Sequence, residues 1–166
     1  KKFIIVVPSV AIREGVLKNL EITFEHFQNL YDKTPATYQV YDSSKVSNLR
    51  GFSLSNAIQI LVINIDSFAK DINVINKEND KLTGKKPIEF IRSTKPIVIV
   101  DEPQNMETEI RKTAIANLNP LCTLRYSATH TNPYNLVYQL NPVKAYDMGL
   151  VKQIEVDSVY AENNFN

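Results

Sequence analysis

Apolar residues along the chain follow two rhythms, and the change between them assigns most of the elements. Phe3–Val7 is a short, nearly all-apolar run rich in β-branched side chains, the pattern of a buried strand. After Pro8 and Ser9 the spacing changes. Ile12, Val16, Leu17, Leu20, Phe24, Phe27 and Tyr31 recur at three- and four-residue steps, which places them on one stripe of an amphipathic helix. Ser9 is positioned as its N-cap and Glu14 lies near the positive end of its dipole. Thr37–Tyr41 alternates as a strand, Ile60–Ile65 is a second apolar run, and Ile97–Val100 is a buried strand introduced by Pro96 and closed by Asp101-Glu102. Helices are expected over Pro87–Arg92, over Glu107–Leu118, and from Pro142 to a stop at Gly149. Further strands are expected over Leu121–Tyr126, Asn135–Leu140 and Val151–Val156. The stretch from Asp71 to Lys86, dense in Asn, Lys, Asp and Glu with a Thr83-Gly84 turn, reads as a solvated insertion outside the core.

Strands alternating with helices imply an α/β fold, a parallel sheet with helices on both faces. Such sheets bind ligands beyond the carboxyl ends of their strands. Four strands here end in polar clusters: Pro8-Ser9, Asp66-Ser67, Asp101-Glu102 and Ser127-Ala128-Thr129-His130. In a parallel sheet all four converge on one edge.

Composition narrows the chemistry. At 166 residues, 43% hydrophobic and 22% charged, the chain has the make-up of a globular domain with a full core. A net charge of +1 gives no broad basic footprint for nucleic acid. The four glycines, Gly15, Gly51, Gly84 and Gly149, each stand more than thirty residues apart. A loop that cradles phosphates needs several glycines within a few residues, so the chain contains neither a Walker A loop nor a dinucleotide fingerprint. No apolar run approaches the roughly 20 residues of a membrane span, and Pro8 cuts the first run short of a signal peptide. Cys122 stands alone, which forbids an intrachain disulfide, fits a reducing compartment, and is expected to be a buried, inert thiol. With only His26 and His130 beside it, a structural zinc site lacks ligands. No Gly-x-Ser-x-Gly elbow supports serine hydrolase chemistry.

Ile97–Val100 followed by Asp101-Glu102-Pro103-Gln104 has the form of a Walker B element. A hydrophobic strand delivers two adjacent carboxylates, the first suited to hold Mg²⁺ and the second to orient and deprotonate water. The same acids could instead start a helix with Pro103 in its first turn. Ser127-Ala128-Thr129 follows the next strand, twenty-six residues after Asp101. By itself it would be an ordinary Ser/Thr-rich turn.

Together the two motifs resemble those of the superfamily-two helicases, and the restriction (Res) subunit of type III restriction-modification enzymes most of all. The resemblance rests on Val7-Pro8-Ser9-Val10-Ala11-Ile12-Arg13-Glu14-Gly15-Val16, Ile63-Asn64-Ile65-Asp66-Ser67-Phe68, Val100-Asp101-Glu102-Pro103-Gln104 and Leu124-Arg125-Tyr126-Ser127-Ala128-Thr129-His130, with Asn141–Val151 as a tail. It implies a RecA-like ATPase core in a motor that acts on double-stranded DNA, attached to an endonuclease, cytoplasmic and partnered by a modification (methyltransferase) subunit. By this resemblance Asp101 would hold Mg²⁺, Glu102 would activate water for ATP hydrolysis, and Gln104, Ser127 and Thr129 would link the nucleotide to DNA-contacting segments. Ser9, Arg13, Asn64 and Ser67 are the candidate contacts to the DNA backbone, although Ser9 serves equally as a plain N-cap and Arg13 as a solvated charge. The family's phosphate loop would precede Lys1, and its second motor domain and nuclease domain would follow Asn166. Residues 1–157 are therefore expected to be a partial first motor domain, truncated before its Walker A strand, and 158–166 the start of a linker. The flank of Leu121–Tyr126 that the Walker A strand would occupy is expected to be bare or otherwise covered. The rival function is a helicase-like DNA- or partner-binding scaffold without hydrolysis.

Overall fold

The computed structural model describes residues 1–129, 133 and 135–152. The first of its two compact units, Lys1–Thr131, is built on one all-parallel sheet. Its strands are β1 (Lys2–Val7), β2 (Ala36–Val40), β3 (Ile58–Asn64), β4 (Ile97–Asp101) and β5 (Cys122–Tyr126), ordered β2-β3-β1-β4-β5. This is the α/β, RecA-like arrangement expected from the alternation of periods.

Register decides where the core sits. Ile4 stands opposite Leu61 and Val98, and Val6 opposite Ile63 and Val100. Paired residues of neighbouring strands project on one face, so these six form a continuous buried surface. Three helices cover it: α2 (Asn48–Leu54) through Leu49 and Phe52, α3 (Pro87–Ser93) through Ile88 and Ile91, and α4 (Glu109–Ala116) through Ala114, with Leu118 just beyond. Each fully buried aliphatic side chain contributes about 1.5–3 kcal/mol. The long helix α1 (Val10–Leu30) lies on the other face, where Phe24 meets Tyr38 edge-on at 5.4 Å. None of its residues is buried, so its apolar stripe is only partly covered. No helix among the described residues is long and apolar enough to cross a membrane.

The segment from Asp71 to Lys86 departs from expectation. Ile75 and Leu82 are 0% and 1% exposed, and Ile75 belongs to the main core. The polar residues around them build turns: Asn73 Oδ1 accepts from the Lys70 amide at 2.8 Å, and Asn76 Nδ2 donates to the carbonyls of Phe68 and Lys70 at 2.9 Å each. Asparagine density here marks loop construction around two apolar anchors. Helix α2 had no expectation behind it, because its seven residues carry only two buried positions.

Asn135–Leu140 is not a strand. Asn135 takes φ +49° and Val137 is 97% exposed; an apolar run forms a strand only where a ladder partner exists. In this second unit, α5 (Pro142–Asp147) starts at Asn141, whose Oδ1 accepts from the Lys144 amide at 2.8 Å, and it ends before Gly149 at φ +68°. His130, most of the expected Val151–Val156 strand and residues 158–166 lie outside the described residues.

Cys122 is exposed at the start of β5, not buried within it. Among the described residues β5 pairs only with β4, so its outer flank is bare and Leu124 and Tyr126 are exposed.

Candidate functional site

Because β1, β3, β4 and β5 are parallel, their carboxyl ends share one edge. Asp101 is the last residue of β4. The chain then turns through Glu102, at φ 53° and ψ 56°, before Pro103–Met106 forms a single 3-10 turn. A left-handed conformation costs a non-glycine residue on the order of 1–3 kcal/mol and has to be held by its surroundings. One restraint is the Glu102 amide, which donates to the Tyr126 carbonyl at 3.1 Å and carries the β4–β5 ladder one step beyond Asp101 and Tyr126. The Glu102 side chain makes no capping bond to the turn it precedes, so its carboxylate is not used as a helix cap. Burial, with the neighbouring charge of Glu102 adding to it, holds the Asp101 carboxyl above the usual carboxylate range.

Gln104 joins this loop to the end of β5. Its Nε2 donates to Glu102 Oε2 and, at 3.3 Å, to Thr129 Oγ1. Its Oε1 accepts from Ser127 Oγ at 2.7 Å, and Ser127 Oγ in turn accepts from the Thr129 amide at 3.0 Å. Both ends of one amide are thus engaged, and its orientation is fixed by what it touches. The five candidate residues Asp101, Glu102, Gln104, Ser127 and Thr129 are gathered at one place on the sheet edge.

Three of the other four candidates lie in a separate groove of about 880 Å³. Arg13, Asn64 and Ser67 line it, with Tyr41, Lys45 and Asp66. Arg13 pairs with Glu14 at 2.8 Å. Ser9 does not line the groove; its Oγ accepts from the Ile12 amide at 3.3 Å and caps α1. Two polar atoms, the Tyr41 hydroxyl and Asn64 Oδ1, are buried with no hydrogen-bond partner among the described residues. Burial, with the Asp42 charge, pushes the Tyr41 hydroxyl up to about 12, so it stays a neutral donor at ordinary pH.

Sequence reasoning missed the side chains that connect these places. Arg111 of α4 donates from Nη1 to the Asn105 carbonyl at 2.8 Å and from Nη2 to Asp66 Oδ1 at 2.9 Å. Arg125 of β5 pairs with Glu107, which also meets Lys112 at 3.3 Å. Arg111 and Asp66 are 45 residues apart, and no local pattern announces a contact at that separation. Among the described residues no group of three or more His, Cys, Asp or Glu side chains is placed to hold a metal.

No family model matches the chain. Over 92% of its length it is 30% identical to the Res subunit of the type III restriction-modification enzyme EcoP15I from Escherichia coli. The chain is similar to type III Res subunits. The Res subunits of EcoPI from Escherichia phage P1 and of StyLTI from Salmonella typhimurium match at 29% and 25% identity over 92% and 93% of the chain. The chain spans 18–19% of the length of these curated Res relatives. A match over 92% of the chain necessarily includes the stretch from Asp101 to Thr129, so the likeness to Res subunits runs through the hydrogen-bonded cluster.

Proposed function

We propose that the chain is part of the ATP-dependent DNA-translocating motor of a type III restriction endonuclease, in which ATP hydrolysis is coupled to DNA cleavage. The observation that carries this reading is the Gln104 amide, bonded on one side to the Glu102 carboxylate and on the other to Ser127 and Thr129. A carboxylate that activates water and hydroxyls that respond to DNA then share one hydrogen-bonded unit. Glu102 accepts the proton of the water that attacks the γ-phosphate. Asp101 supplies a hard oxygen ligand for Mg²⁺. Two adjacent carboxylates, with Asp101 raised by burial and then by the charge of Glu102, suit a hard divalent cation. Bound there, the ion would neutralise charge on the phosphate oxygens.

Double-stranded DNA lies along the groove of Arg13, Asn64 and Ser67, with Ser9 at the adjoining helix start. Cationic, hydroxyl and amide groups suit a phosphate backbone without reading sequence. Residues 1–157 form part of the first motor domain, 158–166 begin the connection onward, and the partner is the modification subunit of a cytoplasmic restriction system.

The test is Glu102→Gln in a full-length Res subunit carrying this segment. It keeps an acceptor for Gln104 but removes the base, so ATP binding should persist while hydrolysis falls by about 10²–10⁴-fold. Asp101→Asn should in addition weaken Mg²⁺-dependent binding. Hydrolysis near wild type in Glu102→Gln would overturn the Walker B assignment, whereas a wild-type subunit that binds DNA without hydrolysing ATP would favour a scaffold.

A further inference from the structure

We infer that Arg111 is a positioning residue that couples the groove beside β3 to the carboxylate loop after β4, an inference that rests on the motor reading. Its two Nη atoms hold one atom from each place: Asp66 Oδ1, whose residue lines the groove, and the Asn105 carbonyl, which lies inside the loop. From Asn105 the path to the reacting groups is one turn long, since the Asn105 amide donates to the Glu102 carbonyl at 3.1 Å. Asp66 is held from its other side as well, because Asn73 Nδ2 donates to the Asp66 carbonyl at 3.0 Å. A shift of the segment after β3, such as a phosphate backbone seated beside Ser67 would impose, therefore moves Asn105 through a planar, inextensible fork.

Geometry rather than charge makes the coupling. The guanidinium is rigid and presents its donors at fixed angles, so two bonds from different Nη atoms set the distance between Asp66 and Asn105. A lysine ammonium carries the same charge on a flexible stem and fixes no such distance. The Arg111 side chain is 29% exposed and that of Asp66 63%, and ion pairs of this exposure add little to stability. The ion pair adds little to global stability; what the bridge fixes is the spacing between the groove and the loop.

The experiment uses a full-length Res subunit carrying this segment, complexed with its modification subunit, and the variants Arg111→Ala, Arg111→Lys, Asp66→Ala and the Arg111→Ala/Asp66→Ala double. ATP affinity without DNA, duplex DNA affinity, and kcat and KM for ATP with DNA are measured for each. Both Arg111 variants should keep both affinities and the KM yet lose at least about fivefold in DNA-stimulated kcat. The double variant should be no worse than Arg111→Ala, since one bridge is broken either way. Full stimulation in Arg111→Lys, or a fall in ATP affinity parallel to the fall in kcat, would overturn the inference. Glu102→Gln separates the two readings. If it still hydrolyses ATP, Glu102 is not the base and the reading of this loop as the hydrolytic site fails; if it does not, and the Arg111 variants remain stimulated, the coupling alone fails.

Discussion

Ser127 and Thr129 look interchangeable in the sequence, but the structure makes them unequal. Ser127 Oγ has two bonds of good length, donating to Gln104 Oε1 at 2.7 Å and accepting from the Thr129 amide at 3.0 Å. Thr129 Oγ1 has one bond to Gln104, at 3.3 Å, beyond the usual range for an N–H donor. With a net worth of about 0.5–1.5 kcal/mol per bond, Ser127→Ala withdraws about 1–3 kcal/mol from the linked geometry, and Thr129→Ala about 0.5 kcal/mol. At about 1.4 kcal/mol per factor of ten, the Ser127 loss is about 5–150-fold in the population of the linked state. The assay is DNA cleavage per ATP hydrolysed by a full-length Res subunit with its modification subunit. Ser127→Ala should retain part of the ATPase and lose most of the cleavage per ATP, while Thr129→Ala stays within about a factor of three. Gln104→Ala should match Ser127→Ala, and the Gln104→Ala/Ser127→Ala double should be no worse than either, because all three break one shared unit. Equal damage from Ser127→Ala and Thr129→Ala, or additive losses in the double, would refute the argument from bond geometry.

The purified 166-residue chain should show no ATPase with or without DNA, since none of its glycines clusters into a phosphate loop; turnover sensitive to Glu102→Gln would contradict this. Ile75→Ala should lower stability by about 2–5 kcal/mol in a thermal or denaturant melt, whereas a solvated insertion would give no change. The Asp101 carboxyl is raised in the fold, so the folded state holds its proton to higher pH than the unfolded chain. That group's contribution to stability then falls as pH rises through the unfolded value and on past the raised folded one. Asp101→Asn should accordingly melt no lower than wild type at pH 7 in the absence of Mg²⁺, with any advantage vanishing below about pH 4; a destabilised Asn variant at neutral pH would show the charge is not strained.

What the sequence discloses here is what short-range physics controls. β1, β3 and β4 are mainly apolar runs, β2 alternates, and such patterns find the strands within a residue or two of β1 through β5. Once the strands are known to alternate with helices, parallel pairing follows, and with it the convergence of Asp101, Glu102 and Ser127 on one edge. The failures share a cause. Ile75 and Leu82 sit in polar surroundings that mask two isolated anchors, and Asn135–Leu140 is rich in apolar residues yet pairs with no strand among the described residues. A mid-strand place makes Cys122 read as interior, yet it is exposed, and among the described residues β5 pairs only with β4. Burial of this kind depends on which element lies beside a strand, and pattern within the strand is silent on that.

The same distinction separates the legible part of the site from the hidden part. Acids, glutamine and hydroxyls at strand ends can be found because strand ends can be found. Arg111, Arg125 and Glu107 act across the fold, through partners 45 and 18 residues away, and their positions on α4, on β5 and just before α4 carry no local mark. Each of them grips the loop from Pro103 to Glu107 or the elements on either side of it. A left-handed Glu102 needs such restraint, because a residue in that conformation relaxes unless neighbours over-determine it. The ladder bond to Tyr126, the Gln104 amide and the Arg111 fork restrain the loop from three directions. A change at any one of the three restraints should therefore be felt at Glu102.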